Sequence, residues 1–508
     1  MGRLTDKVAR GVFWVLLEKF GIQIVHFVVA LVLARLLTPD DYGTVALLAV
    51  FIEIANVVVD CGFGKALVQK KKATQTDYNT AFYLSMTFAG VLYTILFFAA
   101  PLVARFYGLP DLKIMLRVLA LSLVFHSING VQNVELNRKM LFNLSFRISW
   151  VRIAVSSTVG ISFAVAGYGP WALVWSSLSG GIAGVVARQF VIRWRPTLTF
   201  SWAAAGNMFR FGWKLLGVAL IDRFYSNLQA LLIGKFYTRS DLAFVNKGRH
   251  LPNLVANLVS DTLRRVSFPA LAKMQDERDR LRNAMRRIVR TSTFLVFPLM
   301  VMLAVEADVV IEILFGPRWL PAAPFLRIIC FSAMLRQVDT VNRQAIMAMG
   351  RSDIALWLIV VRRIICLVVM AATLHLGVLV FFATSTLVVV PLGFFMNAIP
   401  NHFMLRYTVR MQLQDIAMPF ILSSVAGGLL LSTTMLALDP MLLLPFQVIG
   451  FFVVYGSLSL WFRPAGLREI ANTLLPMARR KLKDGALVTA CLAKLADDGK
   501  QKEAGGHG

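Results

Sequence analysis

The chain has 508 residues, of which 57% are hydrophobic and 16% charged, with a mean hydropathy of +0.68. Soluble domains carry about a quarter charged residues, so an ordinary cytosolic enzyme, a disordered chain and a fibrous chain are all excluded. The net charge of +26 would suit nucleic acid. Here the basic residues sit in short clusters between long apolar runs, which points instead to a membrane protein with one basic face and no nucleic-acid partner.

Residues 1–10 look like the charged start of a leader. The apolar run behind them continues to Leu37, too long for a signal core, and is read as a retained first span. About 20 apolar residues cross a bilayer as a helix. Such stretches recur at 11–37, 42–68, 78–104, 114–137, 142–166, 170–192 and 207–234. They continue at 242–263, 284–313, 322–348, 354–374, 377–405, 416–437 and 442–462. The expected fold is an all-α polytopic membrane protein of about fourteen transmembrane helices. The segment 264–283, RRVSFPALAKMQDERDRLRN, is strongly charged and is expected to continue as a helix into the next span. Residues 463–508 form a basic tail. Within it, 466–483 is expected to lie at the interface, broken at Pro476, with disorder from about residue 497.

Orientation follows from the basic residues. With the N-terminus inside, the inner segments hold 34 Lys and Arg and the outer ones 5. Both ends are therefore expected in the cytoplasm. The outer loops are short, so no folded domain is expected outside.

An internal repeat appears at an offset of 200 residues. Arg35-Leu36-Leu37-Thr38-Pro39-Asp40-Asp41-Tyr42 and Lys235-Phe236-Tyr237-Thr238-Arg239-Ser240-Asp241-Leu242 share a basic residue, two apolar or aromatic ones, Thr and Asp. Both join an odd-numbered span to the next. Two six-span bundles related by a repeat are a common transporter plan. The expected divisions are a first lobe at 1–195, a second at 196–410, two added spans at 411–462 and the tail.

A charge at mid-membrane costs about 2.5–3.5 kcal/mol on insertion scales, so each one inside a span needs a counter-ion, a watered cavity or an anionic ligand. Arg35, Arg117, Arg210 and Lys214 lie near span ends, where snorkelling to the interface explains them. Lys19, Lys65, Lys247, Arg249 and Arg336 are the candidates for a positive, substrate-facing lining. Glu53, Asp60, Asp222 and Asp339 are the ion-coupling candidates. For each residue, a structural ion pair is the competing explanation. Gly180, Gly181 and Gly184 read as close helix packing; Pro298, Pro391 and Pro400 read as kinks.

Four scattered cysteines give neither a disulfide framework nor a zinc site. There is no Walker motif, no metal-ligand spacing and no nucleophile–base pair. No cofactor, no metal and no enzymatic activity are expected.

The motifs together resemble one family. ARLLTPDDYG (34–43) followed by DCGFGKALVQKK (60–71) is similar to the first hairpin of the Wzx-type polysaccharide flippases. These are a branch of the multidrug/oligosaccharidyl-lipid/polysaccharide exporter superfamily, and the likeness is clearest to the members serving exopolysaccharide and lipopolysaccharide export. FRISWVRIAVSSTVGISFAVAGYGPWALV (146–174) resembles the family's fifth and sixth spans, and LLIGKFYTRSDLAFVNKGRHLPN (231–253) its seventh and eighth. VSFPALAKMQDERDRLR (266–282) and LFGPRWLPAAPFLRI (314–328) resemble the stretches that follow. The likeness covers about residues 10–410.

The resemblance implies two pseudo-symmetric six-helix lobes around a central cavity, with two extra C-terminal helices forming a groove for a lipid tail. It implies a substrate made of an oligosaccharide repeat on undecaprenyl pyrophosphate, moved across the bacterial inner membrane by alternating access. Membrane lipids, a polymerase and a chain-length regulator are the implied partners. Lys247 falls where the family often has a basic residue. Gln229 stands where many members have an acid, and Ala243-Phe244 replaces a usual Gly-Tyr. These departures weaken acid-dependent coupling at the seventh span, where Asp222 is the substitute. The alternatives are a related exporter of lipid precursors or cations, a membrane-embedded polymerase or ligase, and a scaffold for an export complex.

Overall fold

The computed structural model describes residues 21–70, 73–139, 141–191, 195–433 and 440–472. Among these there are helices and no strands. They are α1 (Gly21–Leu36), α2 (Pro39–Asp60), α3 (Phe63–Gln69), α4 (Gln75–Tyr107), α5 (Leu112–Ala120), α6 (Ser122–Arg138), α7 (Phe142–Val165), α8 (Trp171–Val191) and α9 (Trp202–Phe236). Next come α10 (Arg239–Ala272), α11 (Arg278–Val305), α12 (Ala307–Phe315), a 3-10 turn (Pro317–Ala322), α13 (Ala323–Ala348) and α14 (Ser352–Thr373). The last are α15 (Val378–Leu387), α16 (Val389–Leu405), α17 (Val409–Thr433) and α18 (Pro440–Phe462).

Ten helical segments among the described residues are long and apolar enough to cross a membrane. They coincide with ten of the fourteen expected spans. The other four expected spans coincide with α1, α8, α9 and α10. The chain is a multi-pass, all-α membrane protein. The charged 264–283 segment ends α10, turns at 273–276 and continues as the first turns of α11. A helix also covers 465–472. Pro476 and the rest of the tail lie outside the described residues.

The chain forms two compact units, Met1–Ala243 and Phe244–Gly508. Within the first, the sequence repeat reappears as a repeated helix start. Thr38 Oγ accepts from Asp41 N at 3.3 Å, and the Asp41 carboxylate accepts from Thr38 N at 2.8 Å. Thr238 and Asp241 do the same at 3.1 and 3.0 Å. Each is a reciprocal capping box that satisfies two orphan donors. The two starts also touch. Ser240 Oγ donates to Asp40 Oδ1 at 2.6 Å, and a Cβ on Gly43 would stand 1.9 Å from the Arg239 carbonyl oxygen.

The first unit buries small residues and turns large apolar ones outward. On α4, Ala81, Ala89, Ala100 and Ala104 are buried, while Phe98, Leu102 and Phe106 are exposed. Lipid is as apolar as a core, so helices associate through close packing rather than through burial of bulky groups. α7 and α8 obey the same rule: Gly180 lies against Ser156, Gly160 against Ser176 and Gly181 against Phe125. The segment ahead of α9 is strapped to α4. Asn79, fully buried, donates to Thr197 and Thr199 at 2.6 Å each, and Gln75 donates to the Arg195 carbonyl at 2.9 Å. These bonds and the packing of α9 on α2, α3 and α4 tie α9 to the first unit.

In the second unit α11 packs on α13, α16 and α17. Asp415 of α17 accepts from Arg286 Nε at 2.9 Å, Arg290 Nε at 2.8 Å and Tyr407 Oη at 2.8 Å. Arg287 pairs with Glu469 at 2.8 Å, which brings the 465–472 helix to the same end of α11. Pro298 and Pro400 sit inside α11 and α16, while Pro391 lies in the first turn of α16, just after the break at Val388.

Candidate functional site

The span that starts at Pro39 is interrupted at Cys61-Gly62, where φ is 36° and 73°. Glycine takes a left-handed backbone freely, whereas a residue with a Cβ pays about 1–2 kcal/mol. The interruption lies where α9 comes close. A Cβ on Gly212 would stand 2.2 Å from the Cys61 carbonyl oxygen. Interrupted helices inside a membrane are tolerated where protein or a cavity takes up the freed backbone groups.

Here the interruption borders a cavity of 540 Å³. Its polar wall is Asp60, Lys65, Gln69, Ser85 and Ser127, and its apolar wall includes Phe63, Val131 and Leu215. The Asp60 carboxylate lies 3.0 Å from His126 Nε2 on α6. Gly130 lies one turn beyond His126, and a Cβ there would stand in ordinary contact with Asp60 Oδ1 at 3.9 Å. An ammonium, a carboxylate, an amide and two hydroxyls thus share one partly apolar space. That set can bind hydroxyl-rich or anionic groups. Among the described residues no three His, Cys, Asp or Glu side chains converge as metal ligands.

The other candidates are distributed. Lys19 lies outside the described residues. Glu53 pairs with Arg223 at 3.3 Å and accepts from Asn227 at 3.1 Å. Asp222, on α9, is exposed. In the second unit Lys247 is buried, 4.9 Å from the Phe315 ring centre and 5.2 Å from that of Trp319. Arg249 lies 5.1 Å from the Phe382 ring centre, and Arg336 donates to Asn253 at 2.8 Å. Cation–π contacts of this kind hold a charge inside a lobe. Asp339 is buried, paired with Arg362 at 3.0 Å and bonded to Asn397 at 2.5 Å.

Both units carry a matching polar core. In the first, Arg188 of α8 donates to Asn129 at 2.5 Å and Asn133 at 2.9 Å, and Arg152 lies over Gly184. In the second, Asn397 of α16 bonds Asp339, and Arg362 lies over Gly393, where a Cβ would meet its guanidinium at 2.7 Å. The counterparts fall at nearly constant sequence separation, so the repeat extends into the buried polar groups. Asp339→Asn is expected to lower the amount of folded protein, at a cost of about 3 kcal/mol for leaving the buried end of Arg362 without its counter-charge. Membrane abundance and thermal stability in detergent check this; normal abundance with lost transport would instead mark Asp339 as a coupling group.

Sequence reading singled out neither His126 nor the Arg188 cluster. The spacing of Asn129 and Asn133 puts both on one helix face, which was the available signal for Arg188. Nothing local marks His126.

Residues 32–324 match the family described as polysaccharide biosynthesis protein. The chain is similar to the teichuronic acid biosynthesis protein TuaB of Bacillus subtilis, with 24% identity over 85% of this chain and 91% of that protein. It is similar to the lipopolysaccharide biosynthesis protein WzxC of Escherichia coli, with 23% identity over 69% of this chain and 72% of that protein. The succinoglycan biosynthesis transport protein ExoT of Rhizobium meliloti matches with 22% identity over 70% and 72%. Among solved structures, the lipid II flippase MurJ in an inward closed conformation superposes with a TM-score of 0.69 at 12% identity, over 89% of this chain and 99% of that one. An inward-facing multidrug resistance transporter of the MATE family superposes with a TM-score of 0.56 at 13% identity, over 75% and 95%. At these identities the superpositions speak for the fold.

Proposed function

This chain belongs to the polysaccharide biosynthesis protein family, and from that premise we propose that it is a membrane transporter, a flippase for a lipid-linked oligosaccharide. The substrate is an oligosaccharide repeat on undecaprenyl pyrophosphate, moved from the inner to the outer leaflet of a bacterial inner membrane by alternating access. Both termini are cytoplasmic, and a polymerase and a chain-length regulator act on the product. The carrying observation is the cavity beside the interrupted helix, with Lys65 and Asp60 in its wall.

The physical task explains that wall. Sugar hydroxyls and a pyrophosphate cannot cross hydrocarbon without replacements for their water. Lys65 offsets phosphate charge, while Asp60, Gln69, Ser85 and Ser127 supply hydrogen-bond partners. The apolar remainder keeps each contact weak enough for release. In the second unit Lys247, Arg249 and Arg336 are proposed as further positive groups on the path. The name of ExoT, a transport protein of succinoglycan biosynthesis, supports this reading.

Lys65→Gln is expected to leave membrane abundance unchanged and to cut surface polysaccharide about ten- to hundredfold, the worth of one charge-assisted bond of about 1.5–3 kcal/mol. Lys65→Arg should be milder against a diffuse phosphate charge. The decisive measurement is leaflet-resolved accumulation of the lipid-linked repeat in a deletion strain complemented with each variant. Accumulation on the outer leaflet without the protein would end the proposal.

A further inference from the structure

Glu53 of α2 and Arg223 of α9 pair at 3.3 Å, and their side chains are 47% and 46% exposed. Glu53 lies near the middle of the span Pro39–Gln69. Charges at that depth face a watered space or the bundle interior rather than lipid. Asn227, one turn beyond Arg223, donates to the same Glu53 carboxylate at 3.1 Å and to the Arg223 carbonyl at 3.1 Å. A carboxylate, a guanidinium and an amide are thus held together and remain accessible.

This group continues the wall of the cavity. On α2, Glu53, Val57 and Asp60 recur at spacings of four and three, and on α9 Leu216, Ala219, Arg223 and Asn227 recur at three and four. Each set therefore occupies one helix face. Val57, Asp60, Leu216 and Ala219 line the cavity. One further turn along each helix, running antiparallel, brings Glu53 to Arg223. Glycine contacts close the α2–α9 seam at both ends. A Cβ on Gly212 would stand 2.2 Å from the Cys61 carbonyl oxygen, and one on Gly234 2.6 Å from Leu47 Cδ1. Between these ends, Glu53 follows Asp60 at about 10 Å along α2, from a rise of about 1.5 Å per residue.

We propose that Glu53, Arg223 and Asn227 form a subsite that reads sugar hydroxyls, separate in role from Lys65, which meets phosphate; the proposal rests on the flippase reading above. The Glu53–Arg223 pair carries no net charge, so it offers a pyrophosphate little attraction. It does match a pyranose ring. A carboxylate accepts from adjacent hydroxyls, a guanidinium donates to their oxygens, and the Asn227 amide oxygen accepts one more bond. Val57 and Ala219 supply small apolar surface for the ring's C–H face. A chain anchored by its pyrophosphate at Lys65 lays its first sugars along the seam toward Glu53.

Stability accounts poorly for this pair. A half-exposed ion pair adds little to folding, while two charges at mid-span are costly to insert. A site built to hydrogen-bond hydroxyls, by contrast, discriminates strongly against a sugar that lacks one. Glu53 and Arg223 therefore set which sugars are held, and Lys65 holds the pyrophosphate whatever sugar it bears.

The test titrates two lipids onto the full chain in detergent by microscale thermophoresis: the lipid-linked repeat extracted from the deletion strain, and bare undecaprenyl pyrophosphate. Wild type should bind the glycosylated lipid more tightly than the bare one. Glu53→Gln and Arg223→Gln should each weaken the glycosylated lipid about ten- to hundredfold, the worth of one charge-assisted hydrogen bond, and leave the bare lipid unchanged. Lys65→Gln should weaken both. Asn227→Ala, which leaves the ion pair standing, should weaken the glycosylated lipid alone, and it carries the test if a charge variant fails to fold. Equal wild-type affinity for the two lipids, wild-type affinity for the glycosylated lipid in all three seam variants, or an equal loss for both lipids overturns the proposal. Wild type binding neither lipid would instead overturn the flippase reading, an outcome separate from any pattern among the variants.

Discussion

Gly43→Val is expected to remove the folded protein from the membrane. The first atom of any side chain at this position would fall 1.9 Å from the Arg239 carbonyl oxygen. That oxygen belongs to the backbone of α10, which is fixed by its own capping box at Thr238 and Asp241. Nothing flexible is available to give way, so one helix start has to move off the other. Forced overpacking costs up to about 3 kcal/mol and occasionally more, and valine adds two methyl groups to the clash. The shift would also separate Ser240 from Asp40. Gly43→Ala should show the same defect in weaker form. Gly90→Ala is the control: nothing lies within 4 Å of a Cβ there, and replacing an exposed helical glycine by alanine gains about 1 kcal/mol. Fluorescence-detected gel filtration of membrane extracts separates the outcomes. Wild-type yield of Gly43→Val would show that the two helix starts are not locked together as described.

Asp415→Ala is expected to be nearly as damaging. Its carboxylate is 2% exposed and neutralises two guanidiniums, with Tyr407 donating a third bond. Removing it leaves Arg286 and Arg290 facing each other and the Tyr407 hydroxyl without its acceptor. Taking one partner from a buried pair costs about 3–5 kcal/mol. The arginines are about a quarter exposed, which places the expected value at the lower end of that range. Arg286→Gln and Arg290→Gln should each cost less, because the other guanidinium keeps the carboxylate paired. Thermal unfolding in detergent should therefore rank Asp415→Ala below both arginine variants. The same cluster anchors α17 to α11, and Arg287 adds the 465–472 helix through Glu469. Limited proteolysis of Asp415→Ala should accordingly cut first after residue 405.

How much of this was legible beforehand differs from element to element. Where a helix starts is a local matter, and Thr38-Pro39-Asp40-Asp41 contains its own capping box. The repeat was visible for the same reason, because Thr and Asp three residues apart recur at Thr238 and Asp241. Membrane character and the approximate spans are sums over about 20 residues, which composition alone supplies. The expectation that 264–283 runs on as a helix into the next span holds from residue 278 onward, after a turn at 273–276.

Which face of each helix points inward was decided only by the tertiary structure. In water an apolar stripe marks the buried side. In lipid that contrast disappears, and on α4 Ala81, Ala89, Ala100 and Ala104 are buried while Phe98 and Phe106 face out. Partner choice between distant charges was invisible for the same reason. Asp60 meets His126 across 66 residues, and Asp415 meets Arg286 across 129. The interruption at Cys61-Gly62 adds a further case: Gly62 permitted it, but the approach of Gly212 placed it. By itself the sequence determined a basic, repeated, all-helical membrane chain, because those properties are sums over neighbours. Only the packed structure decided which charges share a cavity, because that depends on helix rotation and on contacts between residues far apart in the chain.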